Sequence, residues 1–219
     1  MYTSHILSAI IYLVFFCIES VGMVVIRAKI TGIKDLFTAK TAEDNGADFI
    51  SFNFDMDNKD FVSPELAEVM AGQTPTTRKV GIFTDDDIER VNRVADEVGL
   101  DYVQLNGDET NEYIRKVNRP VIKRYYYDKH FFSVKAAEDC PAEMILLDLG
   151  TQDYQNKEMA EDIVQIHKSV IVASETFEKK NVMKVNKKLH PYAIDVSEGL
   201  DTEGEKSPRK IRAFLRRIG

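Results

Sequence analysis

The chain has 219 residues, of which 44% are hydrophobic and 30% are charged, and its net charge is −7. This size and apolar content suit one globular domain with a substantial core, and they exclude a disordered or fibrous chain. The chain has no long block of Lys and Arg, so we expect no nucleic-acid partner. Two cysteines cannot build a disulfide framework and the four histidines are scattered, so we expect no metal site and a cytoplasmic protein.

An apolar segment precedes the first predicted strand. Its hydrophobic run, residues 6–18, is shorter than the roughly 20 residues that span a bilayer, although it suits the core of a signal peptide. No Lys or Arg stands before it, as a signal peptide normally requires. A translation start at Met23, a signal or anchor, and a structural role all remain open. We expect residues 1–22 to be an extension and residues 23–219 to be the domain, with no membrane contact by the domain.

Short runs rich in β-branched residues alternate with helical stretches along the rest of the chain. The first four predicted strands cover residues 23–30, 47–54, 78–83 and 101–105. A helical pattern follows each of them. We expect Thr84 or Asp85 to cap the third helix, residues 88–98, because short polar side chains satisfy the first backbone N–H groups of a helix.

The second half of the chain repeats this rhythm. Its predicted strands cover residues 120–126, 143–149, 169–174 and 192–197, and its predicted helices cover residues 131–139, 157–167, 177–189 and 207–218. Eight strand–helix units predict an α/β fold, a closed (β/α)₈ TIM barrel in one domain. The alternative is an open doubly wound sheet, which normally has a Gly-rich turn after its first strand, and this chain has none there.

In such a barrel the chemistry lies at the carboxyl ends of the strands. Asp148 follows an apolar strand, and a carboxyl group in that position suits a general acid or, equally, the cap of the next loop. Asp195 lies near the end of the last predicted strand, next to the loop where barrels often bind phosphate through backbone N–H groups. Ser197 and Gly199 fit phosphate binding, whereas the nearby carboxylates of Glu175 and Glu198 would repel it.

Several segments match one known family in order and spacing. They are IRAKITG at 26–32, FVSPE at 61–65, QLNGDE at 104–109, LLD at 146–148 and IDVSEG at 194–199. Together they resemble the motifs of the phosphoribosylanthranilate isomerase family of tryptophan biosynthesis, over nearly all of residues 26–218. The resemblance implies a barrel without a cofactor that binds a small phosphorylated sugar-type metabolite, as a monomer or a homodimer.

The resemblance also implies roles for particular residues. The family reaction is an Amadori rearrangement, in which an acid protonates the ribose ring oxygen and a base removes the C2′ proton. Asp148 would be the acid, and Thr31 occupies the position of the base. The remaining implied positions are Lys29, Asp60, Lys123 and Asp195 for substrate binding, and Ser174, Glu175, Ser197 and Gly199 for phosphate binding.

Four of these positions depart from the family pattern. Thr31 replaces a catalytic Cys, and a hydroxyl cannot serve as a base without a strong neighbouring base. Asp60 replaces an Arg that binds the anthranilate carboxylate, which reverses the charge. Ser174 and Glu175 replace a Gly-Gly phosphate loop.

These departures predict a divergent member with impaired isomerase activity. An active enzyme would have to replace the lost base, and Lys29 or Asp55 would be the nearest candidates. The alternative is a non-catalytic barrel that binds a metabolite or a protein partner, since such a barrel needs no base.

Overall fold

Eight parallel strands close into a barrel in which each strand pairs with the next and β8 pairs with β1. The computed structural model describes residues 26–152, 154–155 and 157–218. The strands are β1 (Arg27–Thr31), β2 (Phe49–Asn53), β3 (Arg78–Phe83), β4 (Tyr102–Leu105), β5 (Val121–Tyr126), β6 (Met144–Asp148), β7 (Ser169–Ala173) and β8 (Ala193–Val196). This order confirms the (β/α)₈ barrel predicted from the sequence.

A helix follows every strand. The helices are α1 (Leu36–Asp44), α2 (Pro64–Gly72), α3 (Ile88–Val98), α4 (Asn111–Ile114), α5 (Val134–Asp139), α6 (Lys157–Gln165), α7 (Val182–Leu189) and α8 (Pro208–Ile218). Between β8 and α8 the chain makes a 3₁₀ turn and then a small antiparallel hairpin. The hairpin consists of β9 (Asp201–Thr202) and β10 (Glu205–Lys206).

The cap of α3 differs from the sequence prediction, whereas the bounds of the helix agree with it. Asp87, the residue directly before the helix, is the cap, and its Oδ1 accepts hydrogen bonds from the backbone N–H groups of Glu89 and Arg90 at 2.9 and 3.1 Å. Asp85 bonds elsewhere, since its Oδ1 accepts a bond from the backbone N–H of Asp108 at 2.7 Å. Sequence spacing alone did not reveal this tertiary contact.

Inward-facing side chains change from apolar to polar along the strands. Near the amino ends of the strands they form a small apolar cluster that includes Phe49, Met144 and Ala193. Side chains alternate in direction along a strand, so the residues two positions further on face the same way. On β8 that residue is Asp195, which is buried. The barrel interior is therefore apolar at the amino end of the strands and polar at the carboxyl end.

The predicted extension, residues 1–22, lies outside the described residues. Within the described ranges, no helix is long and apolar enough to cross a membrane. Strand β1 is already paired on both edges, with β2 on one side and β8 on the other.

We predict that deleting residues 1–22 will change the melting temperature by less than about 5 °C, which is about 1–2 kcal/mol for a domain of this size. The reason is that β1 is fully paired without them. Differential scanning calorimetry measures the change. As a matched control, deleting residues 208–218 removes Ile211, Phe214 and Leu215 from the core and should abolish the cooperative transition. A larger drop for the first deletion would mean that the extension packs against the barrel.

Candidate active site

A polar cleft of about 260 Å³ opens at the carboxyl end of the barrel. Residues from β1 to β8 and the loops after them line it, because the carboxyl ends of all strands of a barrel share one face. The lining includes Thr31, Asn53, Lys59, Asp60, Gln104, Arg124, Asp148, Ser174, Glu175, Asp195, Ser197 and Glu198. Most of the residues singled out in the sequence thus lie in one cleft. Lys29, Lys123 and Gly199 are not among its lining residues.

A buried cluster underlies the cleft between the first and last strands. Lys29 is 0% exposed, and its Nζ donates to Asp195 Oδ2 at 2.8 Å and to Thr31 Oγ1 at 2.5 Å. The Thr31 hydroxyl donates in turn to Asp195 Oδ1 at 2.6 Å. Ser51 Oγ lies 2.8 Å from Thr31 Oγ1 and 3.3 Å from Lys29 Nζ. Thr31 is therefore the member of the cluster that reaches the cleft while touching both charged groups.

The electrostatics of this cluster are those of a desolvated ion pair. Burial lowers the pKa of Lys29, and the attraction and hydrogen bond of Asp195 oppose that shift. Buried charges of this kind persist only where hydrogen bonds satisfy them, and the hydroxyls of Thr31 and Ser51 do so here. The Thr31 hydroxyl consequently has a carboxylate within 2.6 Å that can accept its proton.

Asp148 lies across the mouth from this cluster, at the end of β6. Its Oδ2 accepts two bonds from Arg124, from Nε at 2.9 Å and from Nη2 at 2.6 Å. Its Oδ1 accepts a bond from the backbone N–H of Gly150 at 2.9 Å. The apolar strand before Asp148 suggested an apolar environment, but the carboxyl group itself faces a guanidinium. Charge-assisted bonds of this kind are stronger than hydrogen bonds between neutral groups.

Lys123 points away from the cleft. Its Nζ donates to Glu109 Oε2 at 2.8 Å and to the carbonyl oxygen of Gly107, and these residues line an adjoining pocket that shares Asn106 and Arg124 with the cleft. Along β5, Ile122 belongs to the inner apolar cluster, so the next inward position is Arg124 and not Lys123. Both residues stand near the end of the predicted fifth strand, and the sequence prediction assigned substrate binding to Lys123 rather than to Arg124. The alternation of β5, counted from Ile122, is the signal that distinguishes the two.

The loops after β7 and β8 use their polar groups internally. Ser174 Oγ donates to the carbonyl oxygen of Gly150 at 2.7 Å, and Glu175 is exposed at the rim. A Cβ at Gly199 would lie 1.9 Å from the carbonyl oxygen of Phe177, so glycine is required there by a close backbone approach.

Lys206 is a cation of this region that sequence reasoning did not single out. Hairpin β9–β10 returns it to the end of β8, where its Nζ donates to Ser197 Oγ at 3.4 Å. Its Nζ also forms an ion pair with the carboxylate of Asp201. A phosphate near Ser197 would therefore meet a cation that has an acidic partner.

The cleft carries more negative than positive charge. Its lining carboxylates are Asp60, Asp148, Glu175, Asp195 and Glu198, whereas its lining cations are Lys59 and Arg124. Asp60 is buried, and Lys34 Nζ lies 3.8 Å from its Oδ1. Lys29 and Lys34 each pair with one of these carboxylates from outside the lining, so the excess of negative charge holds for the lining groups alone. Within the described residues no group of His, Cys, Asp and Glu is arranged to hold a metal ion.

The fold and the cleft define a single-domain (β/α)₈ barrel with acid–base groups at its carboxyl mouth. A family model described as N-(5'phosphoribosyl)anthranilate (PRA) isomerase matches residues 28–217. The chain therefore belongs to the phosphoribosylanthranilate isomerase family, which consists of isomerases of tryptophan biosynthesis.

Individual relatives agree with the family model. N-(5'-phosphoribosyl)anthranilate isomerases of Bacillus cereus and Bacillus mycoides are 33% and 32% identical to this chain, covering 86% and 87% of it and 96% and 97% of their own length. The phosphoribosylanthranilate isomerase structure from Thermus thermophilus has a TM-score of 0.79 at 31% identity, covering 88% of this chain and 98% of its own. A phosphoribosylanthranilate isomerase structure with reduced 1-(o-carboxyphenylamino)-1-deoxyribulose 5-phosphate has a TM-score of 0.80 at 28% identity, with the same coverage.

We predict that Lys29→Met and Asp195→Asn will each lower the free energy of unfolding by about 3–5 kcal/mol, because each leaves a buried partner uncompensated. The double variant should lose clearly less than the sum, since both changes remove the same pair. Urea unfolding at neutral pH measures these costs. Lys116→Met, which breaks the exposed pair with Glu112, is the matched control and should leave stability nearly unchanged. Additive losses would mean that the two buried groups do not depend on each other.

Proposed function

We propose that the protein catalyses the isomerisation of N-(5'-phosphoribosyl)anthranilate, at a rate well below that of its relatives. The observation that carries this proposal is the pairing of two proton-handling groups across one cleft. Thr31, bonded to Asp195 and Lys29, occupies one wall, and Asp148 occupies another. The relatives named above are isomerases, so the comparisons do not favour a non-catalytic barrel.

The acid step falls to Asp148. A protonated Asp148 would give its proton to the ribose ring oxygen as the bond between that oxygen and C1′ breaks, which leaves a Schiff base between C1′ and the amine nitrogen. The backbone N–H of Gly150 and the guanidinium of Arg124 would then hold the resulting carboxylate. In the resting arrangement Arg124 occupies Asp148 Oδ2, so this oxygen reaches the substrate only after Arg124 has moved.

The base step falls to Thr31 acting with Asp195. Thr31 Oγ1 would accept the C2′ proton while its own proton passes to Asp195 Oδ1, 2.6 Å away. The electrons of the broken C–H bond move towards the Schiff-base nitrogen. Lys29 donates to the same hydroxyl and to the same carboxylate, and its charge would stabilise the anion that develops during the transfer.

The other two candidates for the base fit less well. Lys29 is completely buried and reaches the cleft only through Thr31. Asp55 does not line the cleft, and its Oδ1 accepts a bond from the backbone N–H of Asp57 at 3.0 Å. The relay through Thr31 is therefore the arrangement that the geometry supports.

Two features account for the low rate. A threonine hydroxyl has no accessible anionic form near neutral pH, whereas a thiol titrates at about 8.5 and supplies a thiolate. The cleft also presents Asp60 and Glu175 to a ligand that carries a carboxylate and a phosphate, and like charges repel.

We predict that the unmodified protein will turn over phosphoribosylanthranilate at least about a hundredfold more slowly than an ordinary family member, because general base catalysis typically contributes about 10²–10⁴-fold. Loss of anthranilate-type fluorescence measures the rate. The combined change Thr31→Cys, Asp60→Arg and Glu175→Gly should recover more than the three single changes suggest, because the residues act on one complex. If the unmodified chain turns over substrate as fast as an ordinary family member, Thr31, Asp60 and Glu175 do not impair catalysis and this prediction is wrong.

We predict, as a direct test of the relay, that Thr31→Val will lower kcat by about 10²-fold or more, while the matched variant Thr31→Ser will keep kcat within about tenfold. Serine retains the hydroxyl that connects the substrate to Asp195, and valine retains the shape without the hydroxyl. The same fluorescence assay gives both values. Equal rates for the two variants would exclude a proton relay through residue 31.

A further inference from the structure

Arg124 is the only guanidinium that lines the cleft within the described residues. The loop after β2 has lost its positive charge at Asp60, so the ligand's acidic group needs another cation. We propose that Arg124 binds the carboxylate of the ligand, and that its ion pair with Asp148 is the resting arrangement of an empty cleft. This inference rests on the proposed function, because it concerns a carboxylate-bearing ligand of the same cleft.

The hydrogen bonds of Arg124 leave it able to bind a second anion. Its Nε and Nη2 both donate to a single oxygen, Asp148 Oδ2, and its Nη1 has no bond to another described residue. The side chain is 32% exposed, so it is held only in part by its surroundings. A guanidinium has five N–H donors in a planar fork and pairs with a carboxylate through two parallel bonds.

Gln104 supplies a second, independent observation. It is 3% exposed and lines the cleft, and its Oε1 is a buried side-chain acceptor without a hydrogen-bond partner among the described residues. Its Nε2 is occupied, since it donates to Asn106 Oδ1 at 2.9 Å. Buried acceptors normally have partners, so an unpartnered one in a cleft indicates a donor on the ligand.

The two features lie on neighbouring strands. Gln104 on β4 is level with Ile122 on β5, and Arg124 is the next inward residue along β5 towards the mouth. The matching ligand therefore has an N–H donor next to a carboxylate. An aromatic amine with an ortho carboxylate, the anthranilate part of the proposed substrate, has both groups in that relation.

The position of Arg124 favours the carboxylate over the phosphate as its partner. Barrels often bind phosphate at the loops after the seventh and eighth strands. In a ring of eight strands β5 lies opposite β1, away from the end of β8, where Ser197 and Lys206 are located. The other lining cation, Lys59, lies within 3.7 and 3.8 Å of Glu198 and Asp201, and so belongs to the β8 side.

This arrangement links binding to the acid step. When Arg124 turns from Asp148 to the ligand carboxylate, Asp148 Oδ2 loses both of its hydrogen bonds from the guanidinium. The same event that fixes the aromatic ring in place thus frees this oxygen to face the ribose ring of the same ligand.

The test compares two ligands by isothermal titration calorimetry. One is reduced 1-(o-carboxyphenylamino)-1-deoxyribulose 5-phosphate, and the other is the same compound without the carboxylate. Arg124→Gln should weaken the carboxylate ligand by about 10- to 100-fold and the other ligand by less than about threefold, since it removes a charge-assisted pair that only the first ligand makes. Lys59→Gln is the matched control, because it removes the same charge from the same cleft and should weaken both ligands equally.

The affinities of the same two ligands for Asp148→Asn give an independent measurement, which does not require that Arg124→Gln folds. Asp148→Asn removes the group that competes for Arg124, so it should strengthen the carboxylate ligand more than the other ligand. Equal weakening of both ligands by Arg124→Gln, a loss of inorganic phosphate binding in that variant, or binding of neither ligand by the unmodified protein would each overturn the inference. Turnover is assayed separately, so selective binding without turnover would refute the proposed function and leave the role of Arg124 standing.

Discussion

The buried ion pair between Lys29 and Asp195 is the contact on which both the barrel and its site depend. These residues are partners in the register between β1 and β8, so the bond that closes the ring of strands also places a cation and a carboxylate under the cleft. Removing two charges from water is costly, and the hydroxyls of Thr31 and Ser51 offset that cost by completing the hydrogen bonds. The hydrogen bonds that stabilise the buried charges thus also hold the Thr31 hydroxyl next to the Asp195 carboxylate.

The fold was predictable because it depends on patterns that the sequence displays directly. Strand-like and helical segments alternate eight times, and parallel strands joined by helices have few ways to assemble. Local contacts with tertiary causes were not predictable in the same way. The cap of α3 is Asp87, while Asp85 is bonded to the loop after β4, and no spacing rule reveals that bond.

The candidate site was predictable in its location and less so in its chemistry. The rule that strand ends share one face brought Thr31 and Asp148 together correctly. Side-chain direction decided the rest, because a shift of one residue along a strand exchanges the inside and the outside. Lys123 and Arg124 show this plainly, since the first faces Glu109 outside the cleft and the second faces Asp148 within it. Sequence similarity predicts where a residue lies along the chain. It does not predict which hydrogen bonds and ion pairs a substituted residue forms.

The closure between β1 and β8 also has a consequence for how the chain is made. Lys29 and Asp195 are 166 positions apart, so a ribosome delivers the two sides of this contact at opposite ends of synthesis. Until β8 emerges, β1 has one unpaired edge, and Lys29 has no carboxylate beside it. Chains with an open strand edge are prone to pair with other chains, so we expect this protein to be most exposed to such pairing before β8 joins β1. Its most vulnerable form is thus a nearly complete barrel that lacks one strand.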